Sequence, residues 1–145
     1  MAVSAPFEKY LLDIGYGLKV GLKGQSVWQV WAKNGCFDLN ETSDFCRVLV
    51  LLEKPYSEAK ALLDGYADNQ RAERGFPMWR VVDAGLACQS DQWAGLALKW
   101  LPDLPEGERG LLRDSLLQVH GAKWASQKSR QLAERYAKQI GASEQ

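Results

Sequence analysis

The sequence predicts an all-α fold: stacked helical hairpins, about four pairs with a period near 33 residues, or a compact bundle of the same helices. Three observations predict it. Apolar residues recur at i, i+3, i+4 and i+7 along most of the chain, which places them on one helical face. Serines and prolines stand where these stripes begin or end. The stripe starts themselves recur at near-constant spacing, as two-helix units that stack on one another require. A chain of 145 residues holds one hydrophobic core, so residues 1–145 are read as a single helical domain.

Phe7, Leu11, Ile14, Leu18 and Leu22 form the first stripe. Gly15, Gly17 and Gly21 within it each cost a helix roughly 0.5–1 kcal/mol, so they imply close packing, a break near Gly15, or a helix that orders against a partner. A short helix after Ser26 carries Val27, Trp28, Val30 and Trp31. After the linker Asn34 to Ser43 comes the stripe Phe45, Val48, Leu49 and Leu52. Cys46 to Leu52 is apolar nearly all round and is expected to be central. Leu62, Leu63 and Tyr66 follow Ser57, and the charged stretch Asn69 to Gly75 is a loop. Trp79, Val82 and Leu86 mark the next helix, bounded by Pro77. Trp93, Leu96, Ala97, Trp100 and Leu101 follow Ser90 as the clearest stripe, ended by Pro102 and Pro105. Leu112, Leu116 and Val119 make another. Leu132, Tyr136 and Ile140 close the chain, with Gly141 suited to a left-handed C-cap. First helices start near Phe7, Phe45, Trp79 and Leu112, the last three 34 and 33 residues apart. Second helices start near Ser26, Ser57, Ser90 and Ala122, spaced 31, 33 and 32. No stretch is read as alternating with period two for long enough to be a strand.

Composition excludes several classes. Lys+Arg and Asp+Glu are both 18, so the whole chain does not capture nucleic acid electrostatically. The single histidine, His120, cannot build a catalytic triad or a multi-histidine metal site. No glycine-rich phosphate loop is present. Glu106 and Glu108 sit where they favour the start of a helix. The expectation is a protein without catalytic residues, cofactor or metal. Cys36, Cys46 and Cys88 are odd in number and lack a CxxC pair, which suits buried thiols in a reducing compartment, with Cys36 beside Gly35 the most open to reaction. No apolar run approaches a membrane span, and Met1 to Pro6 lacks a secretory pattern, so a cytoplasmic protein without membrane insertion is expected.

Aromatic residues point to a binding surface. Six tryptophans are present, and tryptophan concentrates at interface hot spots. Trp93 and Trp100 share one face and read as core. Trp28 and Trp31 crowd a short helix, and Trp79 and Trp124 each begin one. The predicted partner contacts are Tyr10, Tyr16, Trp28, Trp31, Trp79 and Trp124, with Lys128 and Arg130 at the rim. Charge is uneven: +2 over residues 1–37, −5 over 38–114 and +3 over 115–145. The basic last helix is either a solvated face favoured by the helix dipole or a dock for an acidic partner.

The two-helix period, with Gly65-Tyr66-Ala67 and Gly85-Leu86-Ala87 at small and aromatic positions, resembles the tetratricopeptide repeat, and HEAT-like pairs fit about as well. Phe76-Pro77-Met78-Trp79 through Leu101 is similar to small tetratricopeptide-like chaperones of bacterial type III secretion. That resemblance implies a concave surface that clasps an amphipathic helix of a client. The function expected is therefore a cytosolic chaperone or adaptor that binds another protein, with no nucleic acid partner. The alternative is a bacterial immunity or antitoxin protein that inhibits a toxin by direct binding.

Overall fold

In Leu18-Lys19-Val20-Gly21-Leu22-Lys23 a large apolar residue alternates with a lysine or a glycine. Val27 to Ala32 is apolar except for Gln29. Both segments are strands in the computed structural model, which describes residues 11–143. Four strands, β1 (Leu12–Gly15), β2 (Leu18–Lys23), β3 (Val27–Ala32) and β4 (Gly35–Asp38), form one antiparallel sheet in chain order. Val20 faces Val30 and Leu22 faces Trp28 across the β2–β3 pair. These four are buried and make the inner face of the sheet.

The all-α expectation fails here for a physical reason. A spacing of four, as in Ile14, Leu18 and Leu22, keeps a side chain on one face of a helix and also on one face of a strand. The glycines decide between the two. Tyr16 and Gly17 both have positive φ, 56° and 76°, the signature of the two-residue hairpin turn whose twist matches its strands. Gly21 lies under the Leu11 side chain: a Cβ there would collide with Leu11 Cδ2. The glycines that a helix would bear as a cost are thus a turn and a close approach.

Beyond the sheet the chain is helical. A 3₁₀ segment spans Thr42–Glu53 and kinks at Val48. Six α-helices follow: α1 (Tyr56–Asn69), α2 (Met78–Ala87), α3 (Asp91–Trp100), α4 (Glu106–Gly110), α5 (Arg113–His120) and α6 (Gln127–Ser143). A short 3₁₀ turn, Leu101–Asp103, carries Pro102 after α3. Ser90 caps α3 as its sequence position suggests, its hydroxyl accepting from the Trp93 N–H at 3.3 Å. Ser57 lies inside α1, which Pro55 precedes, and Ser26 lies in the β2–β3 turn. α6 runs through Gly141 instead of stopping there.

The helices range from 5 to 17 residues, and units of such unequal length cannot stack as copies of one hairpin. With a four-stranded sheet in the place of the first pair, the tetratricopeptide and HEAT resemblance is overturned. The helical-repeat architecture on which a type III secretion chaperone was expected is therefore absent from the described residues, and that expectation loses its support. The fold class is α+β. Phe7, the proposed start of the first helix, lies outside the described residues.

Sheet and helices share one buried cluster. Trp28 on β3 meets the Phe76 ring edge-on at 5.2 Å and the Tyr66 ring at 5.9 Å, and Phe76 meets Phe45 at 5.7 Å. At the other end Trp100 packs edge-on against Tyr56 at 5.5 Å and donates its indole N–H to the Lys54 carbonyl at 2.9 Å. Trp100 is buried, whereas Trp93, expected to match it, is only partly covered. In the segment expected to be covered all round, Cys46 and Arg47 are exposed while Phe45, Val48, Leu49, Leu51 and Leu52 are buried, so one side of it faces out. Among the described residues, no helix is long and apolar enough to cross a membrane.

Candidate functional site

Arg74-Gly75-Phe76-Pro77 cannot continue the helix before it, because Gly75 and Pro77 both break helical structure. The segment instead runs beneath the start of β3, where the Arg74 carbonyl accepts the Trp28 indole N–H at 3.2 Å. Phe76 fills the gap between Trp28 and Phe45. Pro77 then launches α2 with Trp79 and Arg80 in its first turn. The result is a cleft of about 270 Å³ lined by Trp28, Asn40, Arg74, Pro77, Trp79 and Arg80, among others.

Arg80 is held from two sides. Its guanidinium lies over the Trp79 ring, 4.4 Å from the centroid, a stabilising cation–π arrangement. Its Nη1 donates to Thr42 Oγ1 at 3.1 Å. The Thr42 hydroxyl donates in turn to Asp83 Oδ2, and the Ser115 hydroxyl donates to Asp83 Oδ1. The chain of bonds therefore ties the 3₁₀ segment and α5 to α2. Among the described residues, neither Arg74 nor Arg80 forms an ion pair; the pairs present join Lys60 to Asp64 and Glu134 to His120 and Lys138.

The predicted contact residues are distributed unevenly. Trp28 and Trp79 converge on this cleft, Trp28 as a buried wall and Trp79 partly exposed. Trp31 belongs to the other face of the sheet, near Gly21. Tyr16 is 78% exposed at the β1–β2 turn, donates to Glu53 Oε1 at 2.9 Å, and lines a separate recess with Cys46, Arg47 and Trp93. Trp124 is partly buried in the turn before α6; in α6 itself Lys128 is exposed and Arg130 half-buried, its Nε without a hydrogen-bond partner among the described residues. Tyr10 lies outside the described residues. Sequence reasoning missed Arg74, Arg80, Thr42 and Asp83. The adjacency of Trp79 and Arg80 was a visible signal; the 38-residue separation of Thr42 from Arg80 left none.

The remaining chemistry is subdued. Cys46, not Cys36, is the exposed cysteine. Burial pushes all three thiols up, aided at Cys36 by the nearby Asp38 carboxylate, which disfavours the nucleophilic thiolate. A broad groove of about 720 Å³ runs between α1 and α3 over Tyr56, Leu96 and Trp100. Three lysines, Lys54, Lys60 and Lys99, line it with Glu53, Asp64 and Asp103, and Lys60 pairs with Asp64 at 3.1 Å. Among the described residues no three His, Cys, Asp or Glu side chains gather as a metal site would require. Comparison with protein-family models, with curated proteins and with solved structures gives no match.

Proposed function

We propose that this α+β chain is a non-catalytic protein-binding module that seats a side chain of a partner in the Trp28–Trp79–Arg80 cleft. The observation that carries the reading is Arg80, stacked on Trp79 and fixed through Thr42 with no acidic group ion-paired to it among the described residues. Tryptophan and arginine dominate the residues whose truncation weakens protein interfaces most. The cleft's size, about 270 Å³, falls below the roughly 300–1,000 Å³ of small-molecule sites and suits one side chain of a larger partner. Three free cysteines support a reducing, cytoplasmic setting.

The test is selection from a displayed library of random peptides on the full-length protein. Enriched peptides are expected to bind the wild type and to bind Trp79→Ala at least about tenfold more weakly. The melting temperature of each variant is measured alongside. Arg74→Gln, at an exposed position, is the second variant should Trp79→Ala lose its fold. Peptides that bind wild type and both variants equally, or no enrichment at all, would overturn the reading.

A further inference from the structure

We infer that the group this cleft receives is a carboxylate of the partner, gripped by Arg80 and approached from the rim by Arg74. The inference rests on the protein-binding reading above and names its ligand chemistry. Among the described residues, the lining of the cleft contains two arginines and no aspartate or glutamate. A cavity with that balance attracts an anion and repels a cation.

Geometry narrows the anion. A guanidinium has five N–H donors in a planar fork. Thr42 takes one of them at 3.1 Å, and Trp79 lies against the plane. The remaining donors form an edge suited to the two oxygens of a carboxylate. Thr42 does not compete for an incoming anion, because its proton is committed to Asp83 and it offers Arg80 only a lone pair. Asp83 is not ion-paired with the guanidinium either: the Thr42 hydroxyl stands between them, bonded to both. Arg80 is thus ordered before any ligand arrives, so the rotamer freedom an arginine ordinarily loses on binding is already lost. Only one cation is fixed in this way; Arg74 is exposed. One fixed fork matches a singly charged carboxylate better than a doubly charged phosphoryl group.

The experiment titrates the full-length, nitrogen-15-labelled protein with sodium acetate and, separately, sodium phosphate, at constant ionic strength made up with chloride. The Arg80 Nε–Hε and Trp79 indole resonances are followed. Acetate is expected to shift both saturably, with a dissociation constant on the order of millimolar. In Arg80→Gln, which keeps only the Trp79 probe, the indole shift should vanish; both shifts should persist in Thr42→Ser and weaken severalfold in Arg74→Gln. In peptides selected through Trp79, changing Asp or Glu to Asn or Gln is expected to lower affinity about tenfold or more. If amidating the peptide terminus has that effect instead, the carboxylate is the terminal one. Acetate that does not saturate, or that shifts Arg80→Gln equally, overturns the inference, and phosphate binding about tenfold tighter assigns a phosphoryl group in its place. Trp79-dependent peptides whose carboxylates are dispensable overturn the carboxylate and leave the protein-binding reading standing. Peptides indifferent to Trp79 overturn the reading itself.

Discussion

Thr42 Oγ1 accepts from Arg80 Nη1 at 3.1 Å while its own proton goes to Asp83. One hydroxyl therefore satisfies two charged groups on neighbouring turns of α2. Thr42→Val keeps the shape and removes both bonds. It is expected to destabilise by about 1–3 kcal/mol, the cost of leaving polar groups unsatisfied. Thr42→Ser should stay within about 0.5 kcal/mol of wild type. Urea denaturation of the three proteins checks the ordering, and equal midpoints would remove Thr42 from the network.

Two helical glycines should respond to alanine with opposite signs. A Cβ on Gly85 would stand 2.8 Å from Leu52 Cδ1 and 2.9 Å from Ala97 Cβ, where α2 crosses the 3₁₀ segment and α3. Leu52 can rotate, but Ala97 Cβ moves only with its backbone. Gly85→Ala is expected to cost about 1–3 kcal/mol through overpacking, an effect larger than the gain in helix propensity. Gly95 on α3 has nothing within 4 Å of a new Cβ. Gly95→Ala should stabilise by about 0.5–1 kcal/mol. Thermal melts of the two variants on either side of wild type are the expected result.

Trp100, at 2% exposure, is the tryptophan whose loss the core feels most. Trp100→Ala is expected to cost about 3–5 kcal/mol. Trp100→Phe retains most of the packing but leaves the Lys54 carbonyl without its 2.9 Å donor, at about 1–3 kcal/mol. Trp93→Ala, from a partly covered site, should cost less than Trp100→Ala in the same denaturation series.

Acid should weaken the fold through two carboxylates. Asp91 accepts the Ser126 N–H at 2.8 Å, and that bond, with the Ser129 hydroxyl, holds its carboxyl below the usual range. The backbone N–H groups of Glu41 and Asn40 do the same for Asp44. A depressed folded value means that the stabilisation is complete above the unfolded value of about 3.9 and drains away as pH falls through the folded one. Stability measured from about pH 6 down to about pH 2 should therefore fall in the acid limb. Asp91→Asn should start lower at neutral pH and fall less steeply, because the group that titrates is gone. A parallel acid limb would place the acid sensitivity elsewhere.

Much of the helical half was legible in the sequence. The stripe from Trp93 to Leu101 is α3, Ser90 caps it, and Pro77 stands immediately before α2. Those segments carry their own punctuation. The sheet was obscured because Ile14, Leu18 and Leu22 fit two periods at once, and because the Tyr16–Gly17 turn holds a tyrosine where hairpin turns favour asparagine or glycine. Of the site, the aromatic half was legible as unplaced tryptophans. The Thr42–Asp83–Ser115 connection spans 41 and 32 residues, and such a pairing leaves no local pattern to read.

The contact between Trp28 and the loop at Arg74 also bears on the order of synthesis. The two residues are 46 positions apart, and the Phe76 ring that covers Trp28 lies beyond the second of them. At about 5–20 residues per second, a ribosome spends roughly two to nine seconds on that interval. For those seconds Trp28 lacks both the Arg74 carbonyl and the Phe76 ring, so the inner face of the sheet is only partly covered. That incomplete cover lasts until the chain reaches Phe76, and slowing elongation between codons 40 and 76 would lengthen it.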